Sequence, residues 1–288
     1  MHLKLTAADK TDVGKQREQN EDCAYKRIES SAEGDQGLFI VADGMGGYKA
    51  GEIASKLTVE TVSKSLDSLF RPLPEQPTIK LETSALENSV RATAEDALHK
   101  TRKLSETPTV TATEDQLSNA IQQANKAILR YGEQQAAARG LGSTVTAVLI
   151  QGDQAYIANV GDSRTYLFRN KELTPLTRDH SLVARLVEAK QIAPEDIYTH
   201  PQRNLVYRSL GAGRKNIEVD IFHETIQPGD VFLLCSDGLW EMIRPKDLLK
   251  TLNEGGNPQS ICDKLIDLAN ESGGEDNITA VVVYVSAG

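Results

Sequence analysis

The chain is short of cysteine, of positive charge and of long apolar runs, and each shortage excludes something. Three cysteines, Cys23, Cys235 and Cys262, are an odd number without metal-ligand spacing. That argues against a disulfide framework and for a reducing compartment; Cys235, inside an apolar run, reads as core. Lys and Arg number 32 against 41 Asp and Glu, a net charge of −9, so neither a nucleic-acid backbone nor an anionic membrane is the expected partner. No apolar stretch approaches the ~20 residues of a bilayer span, and the N-terminus has no signal-peptide pattern. The last expected strand stops too near the end to leave room for a membrane anchor. The expectation is a soluble cytoplasmic protein, with 288 residues enough for one large domain or two small ones.

What is present begins with Phe39-Ile40-Val41-Ala42-Asp43-Gly44-Met45-Gly46-Gly47. The apolar run reads as a fully buried strand. Asp43 at its end has no Lys or Arg within five residues on either side, and a partly dehydrated carboxylate must be paired, hydrogen-bonded or bound to a cation. The glycines after it let a ligand approach the backbone. Alone, this is most often a plain turn. The device recurs, however. The strand Ala155 to Val160 ends in Gly161-Asp162-Ser163-Arg164, the strand Val231 to Ser236 in Asp237-Gly238, and Glu275-Asp276-Asn277 precedes the strand Ile278 to Val285.

Between these lie the other expected elements. Residues 1 to 28 read as an extended segment and a loop, in which Arg17 stands within reach of Glu21 and Asp22 either as a solvated salt-bridge cluster or as a phosphate fork. Tyr48 to Phe70 reads as a helix with Val59, Val62, Leu66 and Leu69 on one stripe, and Thr113 to Ala138 as another with Leu117, Ile121, Ala124 and Ile128. Residues 71 to 113 carry four prolines and eight threonines and read as an insertion or linker, with a short helix through Leu86, Val90 and Ala97 at most. Ser143 to Ile150 forms a hairpin with the following strand through Gly152-Asp153, and Tyr166 to Leu176 forms another. Residues 178 to 209 gather Arg178, His180, Arg185, Lys190, His200, Arg203 and Arg208, either a solvated excursion or a lid over an anionic substrate. Ile217 to Phe222 is a strand, and helices follow at 245 to 253 and 258 to 272, the second capped by Asn257.

If the four strands are neighbours, Asp43, Asp162, Asp237 and Asp276 converge and need a cation between them. Carboxylate ligation without Cys or His favours Mg²⁺ or Mn²⁺. Two such ions sharing a carboxylate suit displacement at phosphorus.

Arg17 with Asn20-Glu21-Asp22, Asp43-Gly44-Met45-Gly46-Gly47, Gly140-Leu141-Gly142-Ser143-Thr144, Gly161-Asp162-Ser163-Arg164, Ser236-Asp237-Gly238 and Glu275-Asp276-Asn277 together closely resemble the metal-dependent protein phosphatases of type 2C, in their bacterial branch. The resemblance covers nearly the whole chain in order, apart from residues 71 to 113. It implies an α+β fold, a β-sandwich of two mostly antiparallel sheets flanked by helices on both faces. It also implies a single phosphatase domain over 1–288 with a flap at about 178–209. The implied reaction is one-step hydrolysis of phosphoserine and phosphothreonine in proteins by a hydroxide bridging two Mg or Mn ions. Asp43, Asp237 and Asp276 would be the catalytic set: Asp43 bridging both metals, the Gly44 carbonyl binding the second, Asp237 and Asp276 completing the first. Asp162 with Asp237 would form a third, weaker site, Glu21 and Asp22 would act through metal-bound waters, and Arg17 would hold the substrate phosphate. The flap contributes His180, His200 and Arg203 as candidates. Where many eukaryotic members carry a His that protonates the leaving oxygen, this chain has Met45, which leaves a metal-bound water, or His180 or His200, as the acid. The expected partners are phosphorylated substrates of a Ser/Thr protein kinase, and the expected state is a monomer. Two alternatives on the same fold are a catalytically silent phosphoprotein-binding module and a phosphohydrolase of small metabolites.

Overall fold

The computed structural model describes residues 2–31, 34–46, 50–70, 110–135 and 138–288. Strands β1 (Leu3–Asp12), β2 (Asp22–Ser31) and β3 (Gly34–Met45) lead into helix α1 (Ala50–Ser65), and α2 (Val110–Gln134) follows. Next come β4 (Gly142–Ser143), β5 (Val145–Gln151), β6 (Gln154–Val160), β7 (Arg164–Arg169) and β8 (Glu172–Pro175). The excursion holds α3 (Leu182–Glu188) and a 3₁₀ turn at Pro194–Tyr198, and the chain then forms β9 (Leu210–Gly211), β10 (Asp220–Thr225) and β11 (Val231–Cys235). It closes with α4 (Asp237–Trp240), α5 (Pro245–Glu254), α6 (Pro258–Glu271) and β12 (Ile278–Ala287). The short helix expected through Leu86, Val90 and Ala97 lies outside the described residues. Val110 to Ala112, expected in the insertion, belong to α2, which ends at Gln134 rather than Ala138.

Two antiparallel sheets result. One has the order β1-β12-β11-β7-β8; the other has β10-β6-β5-β3, with β2 on the far side of β3 and β4-β9 extending from its end. The alternation of each strand divides its apolar residues between two cores. In β3, Phe39 and Val41 face the opposite sheet, where they meet Phe232 and Leu234 of β11 and Val281 and Val283 of β12. Leu38, Ile40 and Ala42 face outward against Val59 and Val62 of α1 and Leu117, Ile121 and Ile128 of α2. On the other outer face Leu233, Cys235 and Val282 pack under Leu248, Ile261 and Leu265 of α5 and α6. The result is helix, sheet, sheet, helix, the arrangement in which every apolar face finds a cover. Asn257 caps α6, its side chain accepting the Ser260 N–H at 2.9 Å.

Several boundaries differ from expectation; for two strands pairing overrode local pattern, and for a third burial did. The loop expected up to residue 28 is a strand from Asp22, paired along the whole of β3 from Asp22 opposite Asp43 to Ser31 opposite Gly34; a polar edge strand carries little apolar alternation to read. Strand β3 does not stop at Asp43. It continues because Gly44 and Met45 pair with Ser143 and Gly142. Strand β10 begins at Asp220, three residues late, since Ile217 is drawn into the core beneath the helices.

Phe232 is fully buried between the sheets. Phe232→Ala is expected to lower unfolding free energy by about 3–5 kcal/mol in urea titration; a loss below about 1 kcal/mol would mean the two sheets do not pack as described.

Candidate metal and phosphate site

The cleft lies where strand ends of both sheets meet. Asp43 comes from β3, Asp162 follows β6, Asp237 follows β11 and Asp276 precedes β12. They line one cleft of about 240 Å³ together with Arg17, Glu21, Gly44, Met45, Thr144 and Asn277, and with Asn204 and Val206 from the excursion. Five carboxylates thus face a single guanidinium.

Hydrogen bonds fix Asp43, Asp162 and Asp276. Asp43 is held through its backbone, its N–H donating to Thr144 Oγ1 at 3.0 Å and its carbonyl accepting the Thr144 N–H at 2.8 Å. The Asp162 carbonyl accepts Trp240 Nε1–H at 2.9 Å. Asp276 Oδ1 accepts the Asn277 N–H at 2.8 Å, and Asp276 Oδ2 accepts from Arg17 at 2.6 Å. Asn277 joins the two chain ends: its Oδ1 accepts the Glu21 N–H at 2.8 Å, while its Nδ2 donates to the carbonyls of Val13 and Gln19 at 3.0 and 2.9 Å. Gly44 has to be glycine, because a Cβ there would overlap the backbone of Gly51 and Glu21.

Asp22 is buried just behind this wall, outside the cleft lining. Its Oδ2 accepts from Ser236 Oγ at 2.7 Å and Thr279 Oγ1 at 2.6 Å, a link between the sheets. The expected cluster of Arg17 with Glu21 and Asp22 is therefore rearranged: Arg17 pairs with Asp276, and Asp22 pairs with hydroxyls. His180 and His200 do not line the cleft. His180 is buried and accepts the Gly161 N–H on Nδ1 at 3.0 Å; His200 Nδ1 accepts the Gln202 N–H at 3.1 Å. Arg203 bridges Glu241 at 3.0 Å and Glu275 at 2.8 Å, tying the excursion to the body of the protein. The support given by Asn277, Ser236, Thr279 and Trp240 was not assigned from sequence, although Asn277 and Ser236 sit inside recognisable motifs.

Electrostatics follow from this crowding. Burial raises Asp43 well above the usual carboxylate range, and Asp237, Asp22, Asp162 and Asp276 add to it. Asp237 is raised well above it too, by burial and then by Asp162 and Asp276. Burial pushes Asp162 to about 7, with Asp179 next. It also pushes Asp22 to about 7 against the opposing hydroxyl bonds. Buried oxygens of Asp22 (Oδ1) and Asp237 (Oδ1) have no hydrogen-bond partner. An orphaned carboxylate oxygen among like charges is the donor set a hard divalent ion fits. Among the described residues no three acidic, Cys or His side chains already close on one point.

Without divalent ions, folded Asp22 and Asp162 hold protons up to about pH 7 that the unfolded chain releases near about pH 4. The folded state then binds more protons, so stability falls as pH rises through this window. The thermal midpoint in chelator is expected to drop between about pH 5 and 7.5 and to recover with Mn²⁺. Asp162→Asn should flatten the drop, and an unchanged slope in that variant would contradict the assignment.

The protein phosphatase 2C family model matches residues 6–278. The serine/threonine phosphatase stp of Listeria monocytogenes serotype 4b is 36% identical over 281 residues, covering 97% of this chain and 95% of that protein. Among solved structures, the serine/threonine phosphatase Stp1 of Staphylococcus aureus has a TM-score of 0.76 at 31% identity, over 100% of this chain and 98% of that one. The catalytic domain of the phosphatase PstP in complex with two manganese ions has a TM-score of 0.74 at 30% identity, over 99% of this chain and 100% of that one. Strand-end acids from two sheets and similarity along nearly the whole chain agree: this chain belongs to the protein phosphatase 2C family and is a metal-dependent protein serine/threonine phosphatase.

Proposed function

We propose that the cleft hydrolyses phosphoserine and phosphothreonine in polypeptides modified by a Ser/Thr protein kinase, with Asp43, the Gly44 carbonyl, Asp237 and Asp276 holding two Mn²⁺ or Mg²⁺ ions. Asp162 together with Asp237 would hold a third, weaker one. The observation that supports this most is the imbalance of five carboxylates against one guanidinium around an orphaned Asp237 oxygen. Bound divalent ions supply Lewis-acid charge and acidify water for attack at phosphorus.

The chain's own residues do the rest. Arg17 is half exposed at the cleft edge; with one nitrogen on Asp276 its remaining N–H donors are free to take two phosphate oxygens, which orients phosphorus for in-line attack. Glu21, raised by burial although the Gly51 N–H opposes it, stands where it orders water beside the phosphate. Asp22 keeps Ser236 and Thr279, and with them the roots of β11 and β12, in register behind Asp237. Met45 lines the cleft and has no proton to give, and neither flap histidine lines it, so water serves as the proton source for the leaving oxygen. Asn204 and Val206 of the excursion line the cleft, and the relatives this chain resembles are named serine/threonine phosphatases, which favours a polypeptide substrate over a small metabolite.

A phosphothreonine peptide should release phosphate with Mn²⁺, not with excess chelator, and Asp237→Asn should fall to background while remaining folded. Arg17→Ala should lower kcat/KM by about tenfold to a hundredfold, mostly through KM. Faster release from nucleotides or sugar phosphates than from the peptide would overturn the polypeptide assignment; a folded protein with no release under any condition would favour a silent binding module.

A further inference from the structure

His180 is 2% exposed and commits its polar atoms to one turn of the cleft. The Gly161 N–H donates to its Nδ1 at 3.0 Å, and its own backbone N–H donates to the Gly161 carbonyl at 2.9 Å. Both peptide groups flanking Gly161 are thus held by one residue. Gly161 has φ +111° and a Cβ there would overlap Thr144, so only glycine fits, and glycine imposes little conformation of its own. The restraint has to come from outside the turn. Asn159 shares it, its Nδ2 reaching the Gly161 carbonyl at 3.2 Å.

The far side of the ring is fixed as well. Nε2 lies between Asp220 Oδ2 at 3.2 Å and Arg208 Nη1 at 3.0 Å, and with Nδ1 accepting, a neutral ring carries its proton there and directs it to Asp220. The other Asp220 oxygen accepts from Arg208 Nη1 at 2.6 Å. The Tyr207 N–H donates to the His180 carbonyl at 2.8 Å. His180 therefore joins the entry of the flap, its exit at Tyr207 and Arg208, the edge strand β10, and the turn whose next residue is Asp162.

We propose that His180 is a positioning residue for the phosphatase reaction: it sets the Gly161–Asp162 turn, so that the direction of Asp162 in the cleft and the seat of the flap are one arrangement. This rests on the reading of Asp162 as an ion-holding residue. A side chain that orients a ligand from behind changes metal affinity by about 10-fold to 100-fold when lost. The two nitrogens separate this role from mere packing. His180→Asn keeps an acceptor near the Nδ1 position, whereas His180→Gln places its amide near Nε2 and leaves the Gly161 N–H unpaired.

The test compares wild type, H180N and H180Q in the full chain by Mn²⁺ calorimetry and by amide exchange at Gly161. In H180Q, the weaker Mn²⁺ event should lose about tenfold or more in affinity with the tighter events unchanged, and Gly161 exchange should speed by a similar factor. H180N should recover most of both. Unchanged Gly161 exchange in H180Q, or equal impairment of the two variants, would overturn the proposal. Should H180Q not fold, Asp220→Ala, which keeps the ring and removes its anchor, is expected to speed Gly161 exchange, and no change there overturns the proposal equally. Asp162→Asn with His180 intact tests the underlying reading separately: if the weaker Mn²⁺ event survives it, Asp162 holds no ion, while Gly161 exchange still decides what His180 does.

Discussion

Repulsion among buried carboxylates is the constraint on which the rest depends. Asp43, Asp162 and Asp237 are withdrawn from water at the meeting of two sheets, which raises the proton affinity of each, and neighbouring acids raise it further: Asp237 and Asp162 for Asp43, Asp162 for Asp237, Asp179 for Asp162. Left alone, such a group must protonate or drive the strand ends apart. Here neither sheet can yield easily, because Phe39, Phe232 and Val281 fill the space between them and Asp22 is bonded across it to Ser236 and Thr279. The packed sandwich holds the acids crowded and short of positive charge, the setting in which a divalent cation would relieve them.

The arrangement also explains why support comes from uncharged residues. Another Lys or Arg in the cleft would neutralise the acids and compete with the ions. Thr144 and Trp240 instead fix backbone groups of Asp43 and Asp162, and Asn277 fixes the backbone of Glu21 and gives Asp276 one N–H, all without adding charge. Arg17 is the exception, half exposed beside the cleft, where it pairs with Asp276. Arg203 performs the corresponding structural task for the flap, through Glu241 and Glu275 rather than through the cleft acids.

Much of this was legible in the sequence, for physical reasons. Unbroken apolar runs such as Val231 to Cys235 and the stripe Leu117, Ile121, Ile128 report burial directly, and the acids that end or precede such runs had to sit at strand ends. The polar edge strand Asp22–Ser31 was not legible, because its place depends on pairing with β3 rather than on its own pattern. The same is true of the continuation of β3 through Gly44, which exists because Gly142 and Ser143 lie alongside. His180 was not legible: a histidine in a basic excursion suggests proton transfer, and only its contacts with Gly161 and Asp220 reveal a buried residue outside the cleft lining. Six ordered motifs identified the family without establishing any of these contacts.

The central claim is that protons and divalent ions compete for the same carboxylates. Calorimetry of Mn²⁺ binding near about pH 6, repeated in two buffers of different ionisation enthalpy, measures the protons exchanged per ion. The account predicts net release of about one proton or more per chain at that pH, shrinking as pH rises past about 8. Binding with no proton release near pH 6 would contradict it, because the acids would then be fully ionised in the empty cleft.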